Sequence, residues 1–389
     1  DIMHIIIINN AYGRFPSLQA MLTLYYNLTG WAEGVAAAGA QVTVFQRYQL
    51  DTDLEIANIP YHFITEHKPR QLTWQIPWRI IRRVRTLCQR HVQAGIPTVV
   101  HMNGFVFPIP TRVLRLMLPN SVPIVVQHHG ERAMRGWKQR IQRAALRGLD
   151  GYLFAAKPMA QEWLDAGIIA SSHDVYDVME GSSLFTYQDR ASARAITGLT
   201  GNPILFWAGN LDSNKDPLTI LNGFERILPA FPDARLYMAY RYDSLLAEVQ
   251  ARIARSQALT QSVTLLGQLA REQIPDYFNS ADFFVQGSAK EGSGLAVLDA
   301  LTCGVVPVIT DIPSFRVLTD NGRIGALWPV GDEERFVAAL RHVLAQPVQA
   351  QSAAARQFFE QQWSFAAIGR RALQVYEMAW QRRQEKIAT

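Results

Sequence analysis

The chain has 389 residues, 49% of them hydrophobic and 18% charged, with a mean hydropathy of −0.02. That composition excludes a disordered or fibrous chain, and the length exceeds the ~250–300 residues at which a single core stops growing, so two domains are expected. The net charge of +5 is one-sided: residues 1–185 carry 18 Lys/Arg against 13 Asp/Glu and residues 186–389 carry 20 of each, which points to an anionic partner for the first half.

Residues 4–8 open the chain as a buried strand. The run is far shorter than the ~20 residues of a membrane span and lacks a signal peptide's basic flank. Only Cys88 and Cys303 occur, too few for a disulfide framework or a metal cluster. A cytoplasmic protein is expected, with peripheral association at the cytoplasmic face of a membrane. The loop after this strand holds Asn10, Gly13 and Arg14. Strand-length runs rich in β-branched and aromatic residues follow at 41–45, 98–101, 123–127 and 151–154, with helix-like stretches between them. Asp51 and Asp53 read as a solvated acidic loop rather than a metal pair. Residues 70–93 alternate Trp74, Trp78, Ile80, Ile81, Val84 and Leu87 with Arg79, Arg82, Arg83, Arg85 and Arg90. This is the pattern of a helix lying on an anionic membrane, and equally of a crossover helix with a solvated basic face. His128 and His129 close the run at 123–127 and point to opposite sides if the strand continues through them.

After a polar stretch at 180–200 the alternation resumes, with strand-like runs at 204–208, 235–239, 263–266, 283–286 and 305–309. The expected fold class is α/β, two Rossmann-like doubly wound domains at 1–185 and 186–365. An amphipathic helix with Ile368, Leu373, Tyr376 and Trp380 near one face belongs to residues 366–389 and is expected to pack back on the first domain. Ligands of such sheets bind beyond the carboxyl ends of the strands.

The most informative stretch follows the run at 283–286. It passes through Glu291, Gly292, Ser293, Gly294 and Leu295 into an apolar helix carrying Asp299. A Gly-rich turn entering a helix suits a phosphate, because the first amides are unpaired and the helix dipole is positive there. Glu291 and Asp299, eight residues apart, suit the hydroxyls of a sugar and a ribose; a helix-start charge and a solvated face residue is the plainer alternative. Upstream, Gly209, Asn210 and Lys215 lie on a loop that ends in Asp216-Pro217, with proline suited to a first helical turn. Lys215 alone reads equally well as a solvated helix-start lysine.

Glu291-Gly-Ser-Gly-Leu295, Asp299-Ala300 and Thr302-Cys-Gly304, together with the Gly209–Lys215 loop and the strand ending in His129-Gly130, resemble the signature of GT-B retaining glycosyltransferases of family four. The resemblance covers most of the chain and implies a GT-B fold, two Rossmann-like domains facing across a cleft, with the donor site in the second domain and the acceptor site in the first. It implies transfer of a hexose-type sugar from a UDP- or GDP-linked donor to a glycan, lipid-linked or small-molecule acceptor, with retention and without a metal or other cofactor. Catalytic roles go to Glu291 on the donor sugar, Lys215 on the diphosphate and His129 across the cleft. Donor binding extends to Gly209, Asn210, Leu269 at the base, Gly292, Ser293, Gly294, Leu295 and Asp299 at the ribose, and acceptor binding to Asn10, Gly13 and Arg14. The chain departs from the pattern at Ser293, in place of an aromatic residue, and at Asp299, in place of Glu. Asn210 stands where the family has an arginine, so either another cation such as Arg241 or Arg316 supplies that charge or turnover is slow. Alternatives are a non-catalytic nucleotide-sugar-binding protein and a sugar-nucleotide epimerase on a similar fold. Nucleic acid is not an expected partner, because no reading motif accompanies the basic half.

Overall fold

The apolar runs are the strands of two parallel sheets in the computed structural model, which describes residues 2–66 and 74–388. The chain divides into two units, Asp1–Gly181 with Phe365–Thr389, and Ser182–Ser364. The division falls a few residues before the boundary drawn at 185.

The first unit holds β1 (His4–Asn9), β2 (Gln41–Arg47), β3 (Thr52–Ile56), β4 (Ile59–Ile64), β5 (Thr98–Asn103), β6 (Ile124–Gln127), β7 (Gly151–Phe154) and β8 (Val175–Asp177), in the order β3-β4-β2-β1-β5-β6-β7-β8. Every neighbouring pair is parallel except β3–β4, a hairpin whose first strand sequence periodicity does not reveal. β3 is an exposed edge strand, and its turn places Ala57 and Asn58 at φ 52° and 61°, without the glycine that usually marks such a turn. Of the acidic pair, Asp51 lies in the exposed loop before β3 and Asp53 in the exposed strand itself. Asp53 lies in β3 against His62 at 2.8 Å and Arg83 at 3.6 Å, and Asp51 just before it holds Arg79 at 2.5 Å.

The helix Trp78–Gln93 turns Ile80, Ile81, Val84 and Cys88 into the core and leaves Arg82, Arg85 and Arg90 exposed. Most of its apolar face is covered, as a crossover helix requires, with Trp78 and Val92 left exposed; residues 70–73 of the basic segment lie outside the described residues. The helix Phe365–Ala388 belongs to this unit and packs on Tyr26–Ala37 through small residues. A Cβ on Gly34 would stand 2.1 Å from the Phe365 carbonyl oxygen, and one on Gly369 would stand 2.1 Å from the Gly34 carbonyl. Only glycine allows that approach. Trp31 Nε1 then donates to Tyr376 Oη at 3.1 Å, and Tyr376 Oη meets His101 Nδ1 at 2.6 Å, all three buried.

The second unit holds β9 (Ile204–Gly209), β10 (Arg235–Tyr240), β11 (Val263–Gly267), β12 (Phe283–Gln286), β13 (Val306–Thr310) and β14 (Ala326–Trp328), in the order β11-β10-β9-β12-β13-β14, all parallel. Within the polar stretch 180–200 the helix Arg190–Thr197 forms, capped by Asp189 and ended by Gly198 at φ 72°. In each sheet the chain reverses its direction of winding beside the central strand, between β1 and β5 in one and between β9 and β12 in the other. Those two switch points are where crevices open in such folds.

Candidate active site

In the second unit the switch point brings together the loops after β9 and β12. The first loop turns on Asp212, whose Oδ1 accepts from Lys215 N at 3.0 Å, and enters the helix Pro217–Ile227 through Asp216 at φ 41°, which caps Thr219 N at 3.3 Å. Asn214 stitches this loop to the second one. Its Nδ2 donates to Lys290 O at 3.0 Å, its Oδ1 accepts from Lys290 N at 3.1 Å, and its carbonyl accepts from Ala289 N at 2.8 Å. A Cβ on Gly287 would stand 3.0 Å from the Asp216 carbonyl, so the close approach favours glycine there. The Lys215 stem runs beside Gly209, and its Nζ forms an ion pair with Glu291 Oε1, which also accepts from Ser288 Oγ at 2.7 Å. Both charged side chains are mostly covered, 16% and 17% exposed.

Gly292 and Ser293 lead to Gly294, which takes φ 66° as the N-cap of the helix Leu295–Thr302, and no side chain caps that helix. Its first amides are free to receive an anion beside Lys215 and Glu291. Glu291 lies ahead of the helix, so its spacing from Asp299 is not a helical one. Asp299, in the second turn, accepts from Ser183 Oγ at 2.5 Å, and burial pushes its carboxyl up to about 7. Leu269 is partly buried on the loop after the edge strand β11. Asn210 follows β9 with its side chain partly buried, and Arg316 is held by both oxygens of Asp311.

In the first unit a pocket of 270 Å³ opens at the β1/β5 switch point, lined among others by Asn9, Tyr25, Asn27, Asn103, His129 and Glu131. His129 Nε2 meets Asn103 Oδ1, and Glu131 accepts from the amides of His129 and Phe105, the latter at 2.8 Å. The residue is exposed at the mouth of the pocket, yet its ring is surrounded closely enough that desolvation lowers its pKa to about 4, against the pull of Glu131. That shift favours the neutral imidazole, which is hydrogen-bonded to Asn103. His128 is buried, stacked on Phe154 with centroids 4.6 Å apart.

The expected acceptor contacts fare differently. Asn10 is fully buried, with neither amide atom partnered among the described residues, and does not line the pocket. Gly13 lies against the Phe15 ring and Arg14 is exposed, and neither lines it either. The pocket is lined instead by Asn9 and Asn103, the last residues of β1 and β5. Tyr25 and Asn27 come from the junction of two helices, which no motif marks.

Residues 189–358 match the family model described as glycosyl transferases group 1. A D-inositol 3-phosphate glycosyltransferase of Rhodococcus erythropolis is 28% identical over 187 residues, covering 46% of this chain and 42% of the relative. A GDP-mannose:cellobiosyl-diphosphopolyprenol alpha-mannosyltransferase of Xanthomonas campestris is 27% identical over 266 residues, 65% of each. The chain thus spans less than two thirds of the length of these curated relatives. The solved catalytic domain of starch synthase IV from Arabidopsis thaliana, bound to ADP and acarbose, shares the fold with a TM-score of 0.67 at 13% identity, covering 98% of this chain and 100% of that one.

Proposed function

Given that residues 189–358 belong to the glycosyl transferases group 1 and that the two α/β units have the GT-B fold, we propose that the chain transfers a hexose-type sugar, with retention, from a UDP- or GDP-linked donor to a glycan, lipid-linked or small-molecule acceptor. The observation that carries this reading is the joining of the Lys215 loop to the Glu291–Leu295 turn through Asn214, which sets a lysine, a carboxylate and an uncapped helix N-terminus beside one another. The diphosphate sits on Lys215 and the amides of Ser293, Gly294 and Leu295, the sugar on Glu291, the ribose on Asp299 and the base against Leu269. Glu291 must release Lys215 when the donor enters. Negative charge builds on the diphosphate as its bond to the anomeric carbon breaks, and Lys215 and the amides stabilise it. The acceptor oxygen bonds to that carbon and its proton passes to the departing phosphate oxygen, so no protein nucleophile enters. Lysine and helix amides supply the positive charge, and the reaction in this reading uses no metal.

The pocket of Asn9, Asn103 and His129 receives the acceptor, since amides and a neutral imidazole suit hydroxyl groups. The exposed arginines of Trp78–Gln93 give the first unit a peripheral contact with anionic membrane, which suits a lipid-linked acceptor such as the Xanthomonas relative's name describes.

A thermal-shift and calorimetry panel of UDP, GDP, ADP and their sugar conjugates, run without metal, tests the donor site. Lys215→Ala is expected to weaken bare nucleotide and conjugate alike, by roughly 10-fold or more, and Glu291→Ala to weaken only the conjugate. No binding by any of them sinks the reading. A second reading, nucleotide-sugar binding without transfer, is favoured by Asn210 in the arginine position, and it predicts donor binding with no product on any acceptor.

A further inference from the structure

Asn210 leaves the diphosphate one cation short, and we propose that Arg241, on the loop of the neighbouring strand, supplies that charge; the assignment rests on the donor reading above. Parallel strands lie about 4.8 Å apart, and residues in register project from the same face. β9 and β10 pair so that Tyr240 stands beside Gly209. The next residues along, Arg241 and Asn210, therefore leave the sheet edge side by side.

The two loops stay joined beyond the strands. Leu211 N donates to Tyr242 O at 2.8 Å, and the Leu211 carbonyl accepts from Leu245 N at 2.8 Å and from Ser244 Oγ at 2.9 Å. Arg241 is thus anchored to the same loop that carries Lys215. A side chain of arginine's length, planted next to position 210, reaches the space that an arginine at 210 would serve.

The other cations at this edge are less suited. Lys215 is held by Glu291, and the Arg316 fork is occupied by Asp311. Lys290 is exposed on the loop after β12 but is not in register with Asn210, and an ammonium is a point charge rather than a planar fork. Arg241 is exposed, lies over the Tyr242 ring at 5.2 Å, and has no carboxylate partner among the described residues. A free guanidinium beside the loop of Lys215 suits bidentate binding of a diphosphate.

The test uses the full chain with UDP and GDP as probes, taking forward whichever the wild type binds. Arg241→Ala is expected to weaken that nucleotide roughly 10- to 100-fold, with Arg316→Ala and Lys290→Ala each within about threefold of the wild type. Adding Asn210→Arg to Arg241→Ala should recover most of the affinity, because the charge returns one strand over. Arg241 is exposed, so unchanged thermal unfolding should accompany the loss. An Arg241→Ala protein that binds within about threefold of the wild type overturns the assignment, as does an equal loss in Arg316→Ala, which would indicate general attraction rather than a contact. Failure of the wild type itself to bind UDP or GDP removes the donor reading, and this assignment with it, before any variant is compared.

Discussion

Asp299 and Lys215, both assigned to the proposed donor site, lie under opposite electrostatic conditions. Lys215 has its counter-charge in Glu291, whereas Asp299 has a serine hydroxyl and a largely apolar setting that disfavours its ionised form. Its carboxyl is raised from 3.8 to about 7. Between those values the folded protein keeps a proton that the unfolded chain has lost, so stability is greatest on the acid side and falls as the pH rises towards 7. Asp299→Asn removes this dependence. The variant is expected to match the wild type near pH 4 and to exceed it by roughly 1–3 kcal/mol at pH 8 in urea unfolding. A constant difference across that range would show that the carboxyl is not held protonated. The side chain, one methylene shorter than Glu, stays with Ser183; on the proposed donor reading a ribose would have to draw it from that hydroxyl.

At the level of elements, the first unit depends on a helix pair whose contact is made by absent side chains. The Cβ positions of Gly34 and Gly369 are filled by backbone of the opposite helix, which cannot swing aside as a side-chain tip can. Gly34→Ala or Gly369→Ala should therefore destabilise the first unit by about 2–3 kcal/mol, even though alanine is the better helix former. Thermal unfolding with no loss of stability in either variant would mean that the helices separate without cost. Gly30 faces the Phe365 ring in the same way, with a Cβ only 2.4 Å from ring carbons, though a ring can shift. The helix Trp78–Gln93 packs Ile80, Ile81, Val84 and Cys88 into the core and leaves Arg82, Arg85 and Arg90 exposed, together with Trp78 and Val92.

For the whole molecule, the excess of five positive charges lies within residues 1–185, while the rest is balanced. Charge reversal at Arg82, Arg85 and Arg90 together should abolish sedimentation with anionic vesicles at low salt, at roughly 1 kcal/mol per residue, and leave nucleotide binding in the second unit unchanged. Wild-type protein that stays in the supernatant with such vesicles removes the membrane contact.

Much of this was legible in the chain itself. Parallel strands are continuous apolar runs, so ten of them could be read directly, including the partly buried β11, and the turn around Gly294 stood out because a helix start able to receive a phosphate needs small residues in a fixed order. The edge strand Thr52–Ile56 escaped because an exposed strand carries no apolar pattern, whereas the alternation of Ile59–Ile64, which buries Ile59, Tyr61, Phe63 and Ile64, is legible in the sequence. Asn10, Gly13 and Arg14 follow the first strand, but sequence position does not say which side chains turn inwards: Asn10 is buried, and the pocket beside this loop is lined by Asn9 and Asn103.

The sequence by itself determined the α/β class, the two-domain organisation and the Lys215 and Glu291 motifs, because periodicity and local turn chemistry are properties of neighbouring residues. Only the tertiary structure decided that Lys215 pairs with Glu291, that Arg241 stands beside Asn210 and that Glu131 reaches the Phe105 amide. These depend on strand order and register, which are settled when distant segments pack together, and no local pattern encodes them.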